Sequence, residues 1–480
     1  MATDLPLNDS KLPELALALD REHIGAQLSA WLAQSDSDLN VLGCRLERFR
    51  YRPGKRLNTL YEVQLQERSG SQRWRHWVSG LMTADDGVVS QYHRLCREAP
   101  VYAPGALLDR RPILLQSPRL LLQHFPSDLK LKHVGELLAS LPKPLESLYR
   151  SEFGRDGMEL AIAPPEPVRY RPQISAVLRQ RGHRCRDERL AGEAWQVFLK
   201  LRADDDGQAR FDRLRRLCDY RGRLGLMPAR ALAYLPELQL QVNQAVTGTT
   251  LEQRLIAGCQ EAADWRRLGE SLADFHCSDV PLDGVADWES RLLRARAAAA
   301  LIEWACPSLQ PLLRQLSGRL SGYRDSGLKR PCHGDLKPDH LFYGEDAIRV
   351  IDLEDVALSD PMFDIALLLA RMELLSVEGR AAAAELEASA RFLDAYRQRT
   401  PLAWGRQLAP LYACAALGMA RYCIQHQLPD WPRCSSYFCE RALAALERPR
   451  WSFYDQLAPP VFGPAHPATS SDDDFLVSRH

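Results

Sequence analysis

The sequence predicts an α+β chain whose first half is built from short strands and whose second half is helical. Three observations carry that expectation. Leu46 to Leu65 is extended in pattern, with Arg50-Tyr51-Arg52-Pro53-Gly54-Lys55 reading as a hairpin turn between two strand-like runs. The arrangement is written again from Arg169-Tyr170-Arg171-Pro172 onward. Beyond residue 260 the apolar residues recur at helical spacing, as in Trp265, Leu268, Leu272 and Phe275.

At 480 residues the chain exceeds one ordinary domain. Its 46% hydrophobic and 26% charged residues are the mixture of a soluble globular protein. Sixty-two basic residues cancel 62 acidic ones, which removes the global field that draws a chain to nucleic acid or an anionic membrane. The basic run Arg45 to Lys55 reads as one solvated face of a strand pair, not as a nucleic-acid surface. No apolar run approaches the roughly 20 residues that span a bilayer. Met1 to Leu5 lacks the basic region and apolar core of an export signal, so a cytoplasmic location is expected. The 12 cysteines include no C-x-x-C pair and read as reduced, structural thiols.

In chain order, Leu15, Leu19, Ile24, Leu28 and Leu32 give residues 11–35 a helical stripe. The hairpin follows, then a strand over Trp74 to Met82, the turn Asp85-Asp86-Gly87 and a helix ending near Cys96. Leu120 to Phe125 reads as a strand and Leu131 to Leu141 as a helix. The second writing repeats these features in order: Val197 to Lys200, then Asp205-Asp206-Gly207, then a helix with Cys218 near its end. Four coincidences in one order read as a degenerate duplication, with Gly80 aligned to Lys200. Pro164-Pro165-Glu166-Pro167 reads as a boundary. Leu238 to Ala245 is expected as a strand leading into the helix Leu251 to Ile256. Helices are then expected over residues 265–276, 288–304, 363–375, 380–396, 407–426 and 435–447, with a disordered tail from Pro464.

The stretch with the most chemistry is His333-Gly334-Asp335-Leu336-Lys337-Pro338-Asp339-His340, followed by the strand Ile348 to Ile351 and Asp352. Phosphoryl transfer asks mainly for positioning and for neutralisation of oxygen charge, so a few carboxylates and a cation suffice. Asp335 suits the role of accepting or orienting a hydroxyl proton, and Asp352, at a strand end, that of the main Mg²⁺ ligand. His340 reads either as a second metal ligand, which favours Mn²⁺, or as a hydrogen-bond donor nearby. Lys337 offers an ammonium to the transferred group. His333 and Gly334 read as the residues that shape the loop, with His333 counted among the catalytic candidates.

Lys200 ends an apolar strand and suits the first phosphates of a nucleotide, with Asp212 on the next helix as its partner. The segment around Arg181 reads equally as arginines over phosphates or as a solvated hairpin. No P-loop sequence and no G-x-G-x-x-G is present. Asp364, inside an apolar stretch, must find donors if buried and reads as a buttress for the loop.

These residues resemble the aminoglycoside phosphotransferase and choline kinase-like superfamily, close to the bacterial phosphotransferase enzyme family. The matching stretches are HGDLKPDH at 333–340, VIDLEDVALSDPMFDIA at 350–366, VFLK at 197–200 and QLQVNQAVTGTTLEQRL at 239–255. The resemblance implies a protein-kinase-like fold of two lobes, with ATP between them, Mg²⁺ and a small-molecule hydroxyl acceptor. It implies a cap over residues 1–160, similar to that of maltokinases. A β-rich N-lobe over 161–250, a helical C-lobe over 251–460 and a tail over 461–480 complete the expected plan. It casts Asp335 as the catalytic aspartate, Asp352 as the metal aspartate, Lys200 as the phosphate lysine and Gln244, in the hinge-like stretch, as a nucleotide contact. His340 stands where the family usually has asparagine. The acceptor is expected to be a sugar, an aminoglycoside or an amino alcohol, and the alternative function is a nucleotide-binding pseudokinase. Tyr412, Tyr422, Trp431, Glu385 and Asp394 are available to an acceptor pocket, while Tyr412, Tyr422 and Trp404 read equally as core.

Overall fold

The computed structural model describes residues 5, 9–34, 38–70, 72–97, 111–155, 158–185, 191–447 and 476–477. Residue contacts divide the chain into two compact units. One comprises Met1–Gln208, Leu232–Ala245 and Ser470–His480, and the other Ala209–Ala231 and Val246–Thr469. The boundary expected at residues 160–161 thus falls inside the first unit, because a single apolar core runs across it.

That first unit carries two sheets with the same connectivity. In one the order is Leu39–Arg52, Arg56–Glu67, Arg73–Thr83, Arg119–His124, Ile113–Gln116. In the other it is Glu166–Arg171, Ser175–Cys185, Ala191–Arg202, Leu240–Gln244, Ala231–Leu235, with Glu159–Ile162 also paired to the second strand. Five strands recur in the same spatial order, and along the chain a helix separates the third from the last two in each copy, as duplication requires.

The turns repeat as well, down to their hydrogen bonds. Asp9 accepts from the Tyr51 hydroxyl at 2.6 Å, the Gly54 amide at 2.8 Å and the Lys11 amide at 2.9 Å. Asp128 accepts from the Tyr170 hydroxyl, the Gln173 amide and the Lys130 amide, each at 2.7 Å. In both copies the tyrosine lies 42 residues after the aspartate and the turn amide 45 after it. One spacing of 119 residues carries Asp9 to Asp128, Tyr51 to Tyr170 and Gly54 to Gln173. Gly54 and Gln173 both adopt positive φ, +63° and +59°.

Burial corrects one part of the expected alignment. Val197, Leu199 and Leu201 face the core, as Val78 and Met82 do in the first copy. Lys200 therefore points to the face of Leu81, not of Gly80, because neighbouring strand residues point oppositely.

The copies share a core. Leu60 and Phe125 of the first meet Tyr170, Leu178, Val197, Leu199 and Val242 of the second, beside the helix Lys143–Phe153. Trp77, Phe125 and Tyr170 form the aromatic joint, with ring centroids 4.9–6.1 Å apart. The helix expected over residues 11–35 is two, Leu15–Leu19 and Arg21–Ala33. Asp20 breaks it by accepting the amides of Glu22 and His23 as an N-cap. Of the expected disordered tail, only Leu476–Val477 is described, paired in parallel with Trp74 and Arg75, and the rest lies outside the described residues.

The second unit is helical around small sheets. Ala262–Cys277 packs on Ala390–Arg399, and Leu408–Gln425 on Trp288–Ala305, Met362–Val377 and Trp431–Glu447. Met362–Val377 is buried on all but one residue, which its apolar composition requires. Thr250 opens Leu251–Ala257 with a capping box to Gln253. Two hairpin strands, Leu341–Tyr343 and Ile348–Val350, and the pair Arg330–Cys332 and Ala357–Ser359 carry the acidic residues. Among the described residues no helix is long and apolar enough to cross a membrane.

Candidate active site

The site starts where Arg330–Cys332 ends. The next two amides leave the strand pairing, and Asp364 takes both: His333 N at 2.6 Å and Gly334 N at 2.9 Å. Gly334 has φ +83°, and a Cβ there would meet the Asp355 carbonyl oxygen at 2.5 Å, so the close turn demands glycine. His333 is fully buried. Its Nε2 donates to the Ile351 carbonyl at 2.9 Å and its Nδ1 accepts the Asp335 amide at 3.3 Å. A carbonyl only accepts and an amide only donates, so the ring proton is on Nε2. With both nitrogens engaged, His333 is a positioning residue and not a proton carrier.

Asp364 is fully buried, on the first turn of Met362–Val377. It also faces His276 Nε2 at 3.2 Å, and His276 Nδ1 meets the Tyr396 hydroxyl at 2.8 Å. Burial acts to raise its pKa, but the His276 hydrogen bond, the charge of His276 and the Gly334 amide together hold it below the ordinary value. His276, Cys332 and Asp364 have ligand-type atoms within 4.8 Å of one another. Two amides and an imidazole already occupy the carboxylate, so the trio is a buttress for the loop.

Past the turn, the Asp335 carboxylate is 34% exposed and Lys337 Nζ lies 2.6 Å from its Oδ2. His340 is 2% exposed, stacks on His333 at 5.5 Å, and directs Nε2 toward Asp352 Oδ2 at 3.5 Å and Asp339 Oδ2 at 3.8 Å. Its backbone carbonyl accepts the Ile351 amide at 3.1 Å, fastening the loop to the strand that delivers Asp352. Asp352 has φ +64°, a strained conformation for a non-glycine residue and one that concentrates at functional sites. Asp335, Lys337, His340 and Asp352 are thus joined by His333 and the Ile351 backbone.

The nucleotide-side candidates belong to the first unit, except Asp212, which lies in the helix Gly207–Asp219 and is counted with the second. Lys200 sits opposite Val177 and Gln241 in the strand pairing. Arg181, opposite Gln196, shares that face but lies 3.7 Å from Glu166, which also holds Arg179 at 3.0 Å. The segment is a strand with surface ion pairs, which favours the solvated reading over a phosphate cover. Gln244 pairs with Val197 and falls on the opposite, core face from Lys200. Gln241 and Asn243, which sequence reasoning missed, fall on the Lys200 face and bond each other at 3.0 Å. Their signal was a polar residue at every second position of an otherwise apolar strand.

Among the acceptor candidates, Tyr412 is fully buried and bonded to buried Glu373, to which Arg441 also donates at 2.8 Å. Tyr412 is core. Tyr422 stacks on His426 at 4.1 Å, and Trp404 and Trp431 are buried.

Residues 173–404 match the model of the phosphotransferase enzyme family. No curated protein matches the chain. Among solved structures, a choline kinase from Cryptosporidium parvum Iowa II is 12% identical with a TM-score of 0.42, covering 62% of this chain and 91% of that one. The choline kinase LicA from Streptococcus pneumoniae is 17% identical with a TM-score of 0.40, covering 64% and 98%. A thermostable mutant of aminoglycoside phosphotransferase APH(4)-Ia is 13% identical with a TM-score of 0.41, covering 63% and 98%. The matched span, residues 173–404, contains the His333–His340 loop and Asp352, and through it the chain is similar to the phosphotransferase enzyme family.

Proposed function

We propose that the chain transfers the γ-phosphoryl group of ATP to a hydroxyl of a small molecule, with a divalent cation as cofactor. The observation that carries this reading is the loop held by Asp364, which presents Asp335 beside Lys337 and fastens itself to the strand bearing Asp352. Asp335 orients the acceptor hydroxyl and takes its proton. The bond from that oxygen to phosphorus forms, the bond from the γ-phosphorus to the bridging oxygen breaks, and ADP leaves. Lys337 offsets charge on the transferred oxygens. Lys200 is the residue assigned to the remaining phosphates.

The donor set fits a divalent cation. Asp352 supplies a hard carboxylate oxygen, and His340 Nε2 is within 4 Å of both Asp352 and Asp339. Bound there, the ion would neutralise phosphate oxygens. The imidazole in place of an oxygen donor suits Mn²⁺ at least as well as Mg²⁺. A sugar, an aminoglycoside or an amino alcohol is the acceptor class.

The test is nucleotide consumption across a panel of those acceptors, with Mg²⁺ and with Mn²⁺, alongside nucleotide-dependent thermal stabilisation. Asp335→Ala is expected to lower kcat by roughly three orders of magnitude or more while nucleotide binding persists. Equal turnover in D335A and wild type sinks the catalytic assignment. Nucleotide binding without turnover on any acceptor favours the pseudokinase, to which the His340 substitution also points.

A further inference from the structure

The first unit holds a groove that the transfer chemistry does not use. It opens between the two sheet copies as a concavity open to solvent. The first copy contributes Arg48, Arg50 and Arg56, and the second contributes Lys130 and Arg171, with Gln173 beside them. Five cationic side chains line it, and no aspartate or glutamate is among the lining residues. Two residues of the basic run read as a solvated face, Arg48 and Arg50, line this concavity.

Like charges gathered on a concave wall repel one another, and partial burial weakens the screening by water. Arg50 records this strain: burial, then the charges of Arg52 and Arg56, push its guanidinium below the ordinary value. Elsewhere on these strands, basic residues form surface ion pairs. Arg45 pairs with Glu47 and lies 3.5 Å from Glu62, and Arg179 is 3.0 Å from Glu166. The second wall is also built to hold its shape. Asp128 ties the Tyr170 hydroxyl and the Gln173 amide at 2.7 Å to the amides of Lys130 and Leu131 at 2.7 and 3.0 Å. One carboxylate thus fixes the backbones that present Lys130 and Arg171.

We propose that this groove binds a phosphorylated small molecule, with guanidinium groups from the first copy and Lys130 and Arg171 from the second closing on its phosphoryl oxygens. Guanidinium forks match phosphate geometry and give charge-assisted hydrogen bonds. A small ligand is favoured over nucleic acid because the cationic lining is bounded: Arg45, further along the strand, already has carboxylate neighbours, and the chain has no net charge. The shared chemistry of an inorganic polyphosphate and a sugar phosphate is the phosphoryl dianion, and the two are separated by experiment.

The experiment is calorimetric titration of the full chain with inorganic pyrophosphate and, separately, with a hexose phosphate, repeated with a non-hydrolysable ATP analogue and Mg²⁺ already saturating. Binding that survives the nucleotide, weakens as salt rises and drops at least about tenfold in R50Q/R56Q supports the groove. The exposed Lys130→Gln variant is expected to weaken it several-fold and guards against misfolding of the double variant. Tighter binding of pyrophosphate marks an inorganic ligand, and tighter binding of the hexose phosphate an organic one. No binding of either at millimolar concentration, or wild-type binding in both variants, overturns the proposal. So does a duplex oligonucleotide that binds more tightly than either probe and is lost in R50Q/R56Q.

Discussion

The two copies in the first unit share a connectivity, an aspartate-clamped turn and a core, yet they differ on one face. In the second copy that face carries Lys200, Gln241 and, one pair further on, Asn243. In the first, the corresponding strand positions hold Leu81, Leu121 and Gln123. Leu81 and Leu121 close into a small apolar cluster with Val88 from the helix Gly87–Arg97, and Tyr92, Leu95 and Leu114 pack against it. Where one copy keeps a polar face with an amine, the other has sealed the equivalent face with hydrocarbon. The family match, which begins at residue 173, takes in only the copy with the lysine. A duplicated scaffold can therefore keep its turn chemistry, which stability needs, while the equivalent faces diverge, one polar and one apolar.

The largest effect that tests this contrast is on Lys200. Lys200→Ala is expected to lower kcat/KM for nucleotide by roughly a hundredfold or more, while Leu81→Lys creates no second nucleotide site. Both are read from steady-state kinetics and nucleotide titration, and a second site in L81K would break the comparison.

The aspartate clamps come next. Asp128→Ala and Asp9→Ala each strand a buried or half-buried tyrosine hydroxyl and a turn amide, with an expected loss of about 2–3 kcal/mol in urea unfolding. The Asp128 variant should lose more, because Tyr170 sits in the shared core. At Asp9, burial acts to raise the pKa, but the bonds from Tyr51, Gly54 and Lys11 outweigh it and hold the carboxyl below the ordinary value. A depressed carboxyl stabilises the fold above its unfolded value, near pH 4. That contribution disappears as pH falls through the lower folded value. The stability gap between wild type and Asp9→Ala should accordingly narrow below about pH 4.

The smallest effect is at the turns themselves. Gly54→Ala places a side chain at φ +63° with the nearest contact, Lys11 Cδ, at an ordinary 3.6 Å, so the cost is conformational, about 1 kcal/mol. Gln173→Gly, at φ +59°, should move the other way by a few tenths to 1 kcal/mol. Thermal melts of the two single variants show whether the turns are energetically equivalent.

Much of this was legible in the sequence. The duplication was legible because Arg-Tyr-Arg-Pro is written twice, 119 residues apart. The loop from His333 to His340 was legible because glycine, acid and histidine at fixed steps have few bland explanations. Asp364 was legible as a buttress because a carboxylate in an apolar helix must find donors. The other halves of these contacts were not. His276 and Tyr396 lie 88 and 120 residues from their respective partners, and in sequence they look like ordinary core positions. Asp9 and Asp128 sit outside the motif they clamp. The pairing of Lys200 with Leu81 turned on strand parity, where an error of one residue reverses the face. Helices at Lys143–Phe153 and Gln310–Ser321 and the strand Ile113–Gln116 were not expected at all, the last because four residues leave too little periodicity to read.

The aromatic joint of Trp77, Phe125 and Tyr170 has a practical consequence for anyone who wants a minimal catalyst. Trimming the chain to residue 173, where the family match starts, would delete all three of those rings and Leu60, baring the inner surface of the lobe that carries Lys200. The shortened protein should be sticky and insoluble, so expression of the long form is the sensible starting point for any assay.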